Sequence, residues 1–307
     1  METLEIKKFV CTEELSHEEW LRYRKRGIGG SDIGSILGLN PYRSALALYS
    51  EKIDEEIKPE DENIAAELGL ELEPFLSRKF EKWIKKEEGL DIVLEREPFI
   101  LQHPQFEYML VNLDRKFIHP EKGYTPVELK TTSEFNRSNW EEDELPDSYY
   151  VQCQWQMMIT GAEQLYIAYL IGNRKFNAKV IIRNDEIIER LIEAAKNFWE
   201  NHVIPKIPPA PDGSASSEEV LKKMFPKEEE LKTINLSELE EDYKLYKECS
   251  QQQKLVESQM KAIKQKIMLL MGDAEVATIG DHKVTWKTIS KDGYFVNPSS
   301  SRQLRIY

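Results

Sequence analysis

The chain has 307 residues, of which 40% are hydrophobic, and it carries six tryptophans and thirteen tyrosines. This composition supports a packed core and excludes a disordered chain, and the length predicts one large domain with an appendage, or two domains. No apolar run approaches the roughly 20 residues that span a bilayer, and residues 1–8 lack the apolar segment of a signal peptide. We therefore expect a cytoplasmic protein without a membrane span.

The formal net charge of −13 counts against a nucleic-acid binder, because contacts with phosphate require Lys and Arg. Net charge is a sum over the whole surface, however, so an acidic exterior is compatible with a basic groove. The three cysteines, Cys11, Cys153 and Cys249, lie far apart and form no CxxC pair. Their spacing predicts free thiols rather than disulfides or an iron–sulfur site.

The N-terminal part of the chain shows helical patterns. Ser16 and Glu19 have the spacing of a capping box, and the segment 27–32, Gly-Ile-Gly-Gly-Ser-Asp, ends the first helix. Ser31 is then expected to be the N-cap of a short second helix. The predicted helices cover residues 12–26, Ser31 to Leu37, 45–53 and 62–87.

The middle of the chain changes to the alternation that is typical of strands. The predicted strands cover residues 92–95, 99–102, 108–117 and 125–131, and a helix follows over 147–160. Apolar runs at 165–171 and 176–183 flank Gly172-Asn173 and predict a hairpin, followed by an amphipathic helix over 186–202. We expect an α/β (α+β) domain over residues 1–205, with a central mixed sheet flanked by helices.

The C-terminal third has a different organisation. Residues 206–230 are predicted to be a linker, because 205–217 is rich in Pro, Ser and Gly. Residues 231–272 follow a heptad-like 3–4 spacing that predicts a long amphipathic helix. A hairpin that turns at Gly280-Asp281 and a tail over 297–307 complete the predicted range 273–307. The helix is expected to pack against its own domain or another subunit, with docking of a partner as the alternative.

Three residues carry the strongest chemical signal: Asp114, Glu128 and Lys130. Side chains alternate along a strand, so Glu128 and Lys130 point the same way. Asp114 and Glu128 would hold Mg²⁺, with the backbone carbonyl of Leu129 as a further oxygen ligand. Lys130 would orient or help deprotonate an attacking water and offset charge. Glu73 could supply a third acid. The alternative for Asp114, Glu128 and Lys130 is an exposed strand with a surface ion pair, and the alternative for Glu73 is an ordinary acid on a charged helix face.

Two further motifs could contact a substrate. Glycines in the segment 27–32 let backbone approach a ligand, and the amides there can receive a phosphate that Arg24 would pair with, although an ordinary Gly-rich turn explains the pattern equally well. Gln152 and Gln156 lie four residues apart on one face of the predicted helix, whereas Gln154 lies on another. These amides could hold water, phosphate or a metal-linked acid, or they could form a polar stripe on a partly buried helix.

Together these motifs resemble the YqaJ-type phage recombination exonucleases, relatives of lambda exonuclease in the PD-(D/E)xK nuclease superfamily. The resemblance covers residues 16–205 and extends more weakly beyond them. Its motifs stand in the order Arg24, Ser31 in GIGGSD, Gly69 and Glu73 in GLELEP, Asp114, the ELK triplet at 128–130, and YVQCQ at 150–154. The resemblance implies a restriction-endonuclease-like PD-(D/E)xK core.

The resemblance also implies an activity. Such enzymes degrade linear double-stranded DNA from the 5′ end with Mg²⁺, with two ions per site and Mn²⁺ as a substitute, and leave 3′ overhangs for a single-strand annealing protein. A homo-oligomer, as a trimeric ring, is implied as well.

The roles of individual residues follow from the same resemblance. Carried over by motif, the metal ligands would be Glu73, Asp114, Glu128 and the carbonyl of Leu129. The catalytic residues beside them would be Lys130 and Gln152. The contacts to the 5′-terminal phosphate and the DNA would come from Arg24, Ser31, Gly30, Tyr149 and Gln154.

The chain departs from the family pattern in several places. Leu113 stands where the superfamily name has Pro, the thirteen residues between Asp114 and Glu128 imply a larger hairpin, and the long C-terminal helix maps onto no part of lambda exonuclease. The alternatives to an exonuclease are a PD-(D/E)xK endonuclease and a non-catalytic, nuclease-like DNA-binding scaffold. The intact Asp114, Glu128 and Lys130 argue against the scaffold.

Overall fold

The computed structural model describes residues 6–56, 63–140 and 145–290. The chain divides into two units, Met1–Met224 and Phe225–Tyr307. No helix in these three ranges is long and apolar enough to cross a membrane. The predicted tail over 297–307 lies outside the described residues, as does residue 62, the predicted start of the fourth helix.

The first unit alternates helices and strands. Its helices are α1 (His17–Lys25), α2 (Gly30–Ile36), α3 (Ala45–Ile53), α4 (Ile64–Glu87), α5 (Asp147–Thr160), α6 (Asp185–Phe198) and α7 (Ala215–Met224). Its strands are β1 (Lys7–Cys11), β2 (Phe99–Gln102), β3 (Leu110–Val111), β4 (Arg115–His119), β5 (Gly123–Thr132), β6 (Gln164–Ile171) and β7 (Lys175–Ile182). A 3₁₀ turn at Glu134–Trp140 and a π turn at Trp199–Val203 complete the unit.

The strands form two sheets. The strands β1, β2 and β3 make an antiparallel sheet in that order, and β4, β5, β6 and β7 make a mixed sheet. In the mixed sheet β5 and β6 are parallel, and the other neighbours are antiparallel. Parallel neighbours need a long connection, which α5 supplies here. The predicted α/β fold with a central mixed sheet is therefore confirmed.

The register of the β4–β5 hairpin brings the predicted acids together. Arg115 pairs with Val127 in the antiparallel ladder. One step further along the same register, Asp114 lies opposite Glu128. The thirteen residues that separate these two acids in sequence therefore form the turn and arms of one hairpin.

Helix α5 is the central packing element of the unit. All residues from 151 to 160 are buried, because α2 and α6 pack on one side of α5 and the strands on the other. The indole of Trp155 donates a hydrogen bond of 2.9 Å to the carbonyl of Leu110 and so ties α5 to β3. A helix buried on all sides can present its polar side chains only to partners inside the protein, and this places the glutamines of α5 at the sheet.

Several predicted elements differ from the observed ones. Residues 92–95 contribute only a single bridge, between Glu95 and Lys116, instead of a strand. The predicted strand 108–117 is divided between β3 and β4, which belong to different sheets. Helix α2 begins at Gly30 and its N-cap is Gly29 rather than Ser31. The reason is that the carboxylate of Asp32 accepts the Gly29 amide and closes the turn two residues earlier.

Helix α7 lies inside the range 206–230 for which we predicted a linker. It packs against α3, and the Ser216 hydroxyl accepts a hydrogen bond of 3.1 Å from the Ser44 amide. A tertiary contact with α3 thus stabilises a helix in a segment whose composition favours a loop.

The second unit contains the predicted long helix and hairpin. Its elements are a 3₁₀ turn at Ser237–Leu239, α8 (Glu240–Met271), β8 (Val276–Ile279) and β9 (His282–Thr285). The hairpin turns at Gly280, whose φ of +59° is a conformation that favours glycine. Apolar residues of the predicted heptad seam, such as Met260 and Ile263, are 52% and 60% exposed on α8.

We expect limited trypsin digestion to cut the described part of the chain first at Lys227 or Lys232. Residues 225–236 are exposed and are the first residues of the second unit, and proteases require an exposed, locally extended backbone. Mass spectrometry of the first fragments measures this. A variant with both lysines changed to Gln should slow the first cut, and an earlier cut inside α1 to α6 would contradict the expectation.

Candidate active site

Asp114 and Glu128 lie side by side at the end of the β4–β5 ladder. The Asp114 carboxylate accepts a hydrogen bond of 2.8 Å from the backbone amide of Leu129, which fixes its orientation beside β5. Glu128 is 2% exposed and Leu129 is buried as well. The register and this hydrogen bond therefore place two carboxylates at one point of the sheet, as the sequence predicts.

Three donors hold the buried carboxylate of Glu128. The ammonium of Lys130 lies 2.5 Å from Oε1, and Nε2 of Gln152 donates to the same oxygen over 2.6 Å. Nε2 of Gln156 donates to Oε2. A buried charge is tolerated only when it is paired and hydrogen-bonded, so these donors are what allow a carboxylate here.

Lys130 is a cation in this arrangement. Burial alone would lower its pKa, but the negative charges of Glu128 and Asp114 outweigh burial, and the pKa of Lys130 is raised above its ordinary value. Its ammonium also lies 5.1 Å from the centre of the Tyr149 ring, which brings this predicted residue to the site. Lys130 is therefore suited to offset negative charge rather than to accept a proton.

Asp114 experiences the opposite environment. Burial, and then the charge of Glu128, raise the pKa of Asp114 well above its ordinary value, and Lys130 and the Leu129 amide only partly compensate. Two carboxylates thus share one nearby cation. Carboxylate oxygens are the ligands that Mg²⁺ prefers, and a surplus of negative charge is what a divalent ion neutralises. The donor set at Asp114 and Glu128 therefore fits a hard divalent cation.

Glu73 is not part of a complete metal cage in the structure. Its Oε2 accepts a hydrogen bond of 2.9 Å from Arg115, although its charge still raises the pKa of Asp114. Across the described ranges, no group of three or more His, Cys, Asp or Glu side chains is arranged to hold one ion. The predicted third ligand is thus near the two acids but oriented by Arg115, a residue that the sequence analysis did not select.

The glutamines of α5 divide into two groups. Gln154 does not reach the acids: its amide donates to the Ile182 carbonyl over 2.8 Å and accepts from the Asn184 amide over 2.9 Å. It therefore joins α5 to the β7–α6 connection, whereas the resemblance predicted a contact with the DNA. Gln156, to which the resemblance gave no role, binds Glu128 instead. Its spacing of four residues from Gln152 is the sequence feature that indicates this position. In the described part of the chain, Oε1 of Gln156 is buried without a hydrogen-bond partner, so an acceptor for a water is left at the site.

Arg24 and Ser31 form a second group of predicted site residues, and they contact each other. The guanidinium of Arg24 donates to the Ser31 hydroxyl over 3.1 Å and lies 4.8 Å from the centre of the Trp20 ring. Gly30, also predicted to contact the substrate, is buried, and a Cβ there would lie 3.4 Å from side-chain atoms of Gln152 and Trp155. Its observed contribution is therefore the close packing of α2 on α5.

One cleft of about 720 Å³ joins these two groups of residues. Its walls include Arg24 from α1, Glu73 from α4, Asp114 before β4, and Lys130 in β5. A cationic side chain and a carboxylate-rich group thus open into the same space.

We expect Asp114→Asn to raise the melting temperature of the metal-free protein. A carboxylate whose pKa is raised by folding destabilises the folded state when it is charged. This loss of stability begins above the ordinary Asp pKa of about 4 and increases as the pH rises. Asn keeps an oxygen for the Leu129 amide but removes the charge. A gain of 1 kcal/mol would raise Tm by about 2–4 °C in a domain of this size.

The effect is measured as the Tm of both proteins from acid to alkaline pH, with a chelator present to keep them metal-free. The exposed Asp91→Asn is the control and should show no such pH-dependent gain. Added Mg²⁺ should raise the Tm of the unmodified protein more than that of Asp114→Asn, because binding to the folded state stabilises it. A lower Tm of Asp114→Asn at every pH would contradict the assigned charge surplus.

Comparison with solved structures finds two exonucleases. An alkaline exonuclease (LHK-Exo) from Laribacter hongkongensis is 16% identical, with a TM-score of 0.44 over 62% of this chain and 94% of that chain. A phage related exonuclease from Haemophilus somnus 129PT is 15% identical, with a TM-score of 0.40 over 59% of this chain and 96% of that chain.

Comparison with protein families and curated sequences supports the motif resemblance. The YqaJ-like viral recombinase domain matches residues 19–163. The uncharacterized protein YqaJ of Bacillus subtilis (strain 168) is 37% identical over 282 residues, which are 90% of this chain and 85% of that protein. The chain belongs to the YqaJ-like viral recombinase family.

Proposed function

We propose that this protein is a divalent-metal-dependent nuclease that degrades one strand of linear double-stranded DNA from its 5′ end. It would leave 3′ single-stranded overhangs for recombination by strand annealing. The observation that carries the proposal is the shared cleft, which Arg24, Asp114 and Lys130 all line. Ser31 contacts Arg24 and Glu128 pairs with Lys130, so both adjoin the same site. Membership of a viral recombinase family supports the biological role.

The metal site of the proposal uses oxygen ligands. Asp114 and Glu128 would hold Mg²⁺, with Mn²⁺ as a substitute, and the carbonyl of Leu129 would add a ligand. Glu73 would serve a second ion, since Arg115 binds only its Oε2 and a carboxylate has two oxygens. A bound Mg²⁺ supplies a water of lowered pKa and neutralises charge on the scissile phosphate.

The side chains around the acids would prepare the site for phosphodiester hydrolysis. Lys130 stays protonated and offsets the charge that develops on the phosphate oxygens. Gln152 and Gln156 fix both oxygens of Glu128, so the carboxylate needs no reorientation when the substrate binds. Tyr149 confines the ammonium of Lys130 through its ring.

The cationic wall would recognise the end of the DNA. A guanidinium and a hydroxyl that already contact each other can both donate to one phosphate, and the Trp20 ring restricts the orientation of Arg24. A terminal phosphate carries more negative charge than an internal one, so a fixed cation favours a 5′-phosphorylated end. This is the physical reason for proposing that the site recognises a terminal phosphate, whereas digestion from the 5′ end rests on the family resemblance.

The resemblance extends the proposal to partners. A 3′ overhang is the substrate of a single-strand annealing protein, and a homo-oligomer, as a trimeric ring, would keep the enzyme on the duplex. The organisation into a nuclease domain over 1–205, a linker, a long helix and a C-terminal hairpin belongs to the same proposal, as does a cytoplasmic location.

We expect the purified protein with Mg²⁺ to digest linear duplex with 5′-phosphate faster than linear duplex with 5′-hydroxyl, and to leave closed circles intact. Product length and strand polarity are measured with labels placed at each end. Asp114→Asn is the inactive control. Nicked or linearised circles would instead support an endonuclease, and DNA binding without digestion in Mg²⁺ or Mn²⁺ would support a non-catalytic scaffold.

We expect Gln152→Ala and Gln156→Ala to lower the single-turnover rate about 10–100-fold, because they release the carboxylate that they orient. Gln154→Ala on the same helix should instead lower the free energy of unfolding by about 1–3 kcal/mol, since it removes both hydrogen bonds that join α5 to the β7–α6 connection. Its rate per folded molecule should be unchanged. Chemical unfolding measures the stability of each variant. An equal loss of rate in all three variants would contradict the division of the α5 glutamines into two groups.

A further inference from the structure

A second buried carboxylate lies behind the cationic wall of the cleft. Asp32 in α2 is 0% exposed, and its Oδ2 accepts from the Gly29 amide and from the ammonium of Lys52, each over 2.9 Å. Its Oδ1 is paired with Arg43 and lies 3.9 Å from Arg24. Burial alone would raise the pKa of Asp32, but Lys52, Arg43 and Arg24 outweigh it and hold the pKa well below its ordinary range. Asp32 is therefore ionised and surrounded by cations.

Lys52 is the buried partner of this carboxylate. Its side chain, in α3, is 1% exposed, and besides pairing with Asp32 it donates to the backbone carbonyl of Arg24 over 3.2 Å. A single ammonium thus links the C-terminal turn of α1 to the residue that follows Ser31. A cation also interacts favourably with the last carbonyls of a helix, which strengthens the contact at Arg24.

The pair controls the two ends of the Arg24–Ser31 contact. Lys52 donates a hydrogen bond to the backbone of Arg24, and Asp32 accepts one from Gly29, two residues before Ser31. Lys52 and Asp32 also form an ion pair with each other. Neither side chain is among the described residues that line the cleft with Asp114. Asp32 and Lys52 are therefore placed to act through Arg24 and Ser31 rather than on the DNA itself.

The charge of the whole cluster is compatible with an anionic ligand. Arg24, Arg43 and Lys52 supply three positive charges, whereas Asp32 and Glu51, which binds Arg43 over 3.0 Å, supply two negative ones. One positive charge remains, and of these cations Arg24 is the one that lines the cleft. The buried carboxylate thus orients the cations without cancelling their charge.

We propose that Asp32 and Lys52 are positioning residues that set the geometry of Arg24 and Ser31 for discrimination of a 5′-terminal phosphate. This inference rests on the proposed function. Breaking a buried ion pair leaves a charge without its partner, and the surrounding segments must move to resolvate it. The expected consequence is a displaced phosphate site next to intact catalytic acids.

The test compares Asp32→Asn, Lys52→Met and the double variant on linear duplexes with 5′-phosphate and 5′-hydroxyl ends. We expect the ratio of kcat/KM for the two ends to fall about tenfold or more, mainly through KM, because small displacements of a positioning group have effects of this size. The double variant should lose no more than the worse single variant, since the two residues act as one pair. Lys52→Arg, which keeps the charge, should restore most of the ratio.

The controls separate this inference from the proposed function. Glu51→Gln alters the same cluster at a half-exposed position and should keep the ratio. If the unmodified protein does not distinguish the two ends, the proposed end recognition is wrong. If it does, and Lys52→Met retains the full ratio, the positioning role is wrong. Circular dichroism and thermal unfolding show whether each variant is folded. If Asp32→Asn does not fold, the result for Lys52→Met alone tests the positioning role, because Lys52→Met leaves Asp32 paired with Arg43.

Discussion

The buried carboxylate of Glu128 is the constraint around which the first unit is organised. A charge that is 2% exposed must have its donors supplied by the protein. Lys130 comes from the same face of β5, while Gln152 and Gln156 come from one face of α5. Helix α5 can deliver two amides there only because it is buried along the sheet and connects the parallel strands β5 and β6. The crossover connection and the active site are thus one structural feature.

Charge is distributed unevenly between the two walls of the cleft. On one wall Asp114 and Glu128 share Lys130, and negative charge is in surplus. On the other, the cluster around Asp32 keeps a surplus of positive charge that Arg24 presents to the cleft. In the proposed function, a divalent cation would complement the first wall and a terminal phosphate the second. The net charge of −13 is therefore no obstacle to DNA binding, because local charge at the site decides it.

The site residues that could be predicted are those whose spacing is a local property. The alternation of residues 128–130 in a strand and the antiparallel pairing with Asp114 follow from the chain itself. Gln154 was assigned to the wrong partner because helix periodicity gives the relative direction of side chains but not which side of a fully buried helix faces the acids. Arg115 and the loss of the strand at 92–95 depend on tertiary contacts that no local pattern contains.

The contact between Glu73 and Arg115 explains how an acid can be close to the metal site without completing it. The side chain of Arg115 is 8% exposed and that of Glu73 is 18% exposed, so the pair is only partly withdrawn from the cleft. Arg115 binds one oxygen of Glu73, so the other oxygen is the one that could serve as a metal ligand. An arginine that holds a carboxylate by one oxygen keeps it from adding its full charge to the crowded acids. In the proposed metal site, Arg115 would therefore orient Glu73 while the other carboxylate oxygen of Glu73 binds a cation.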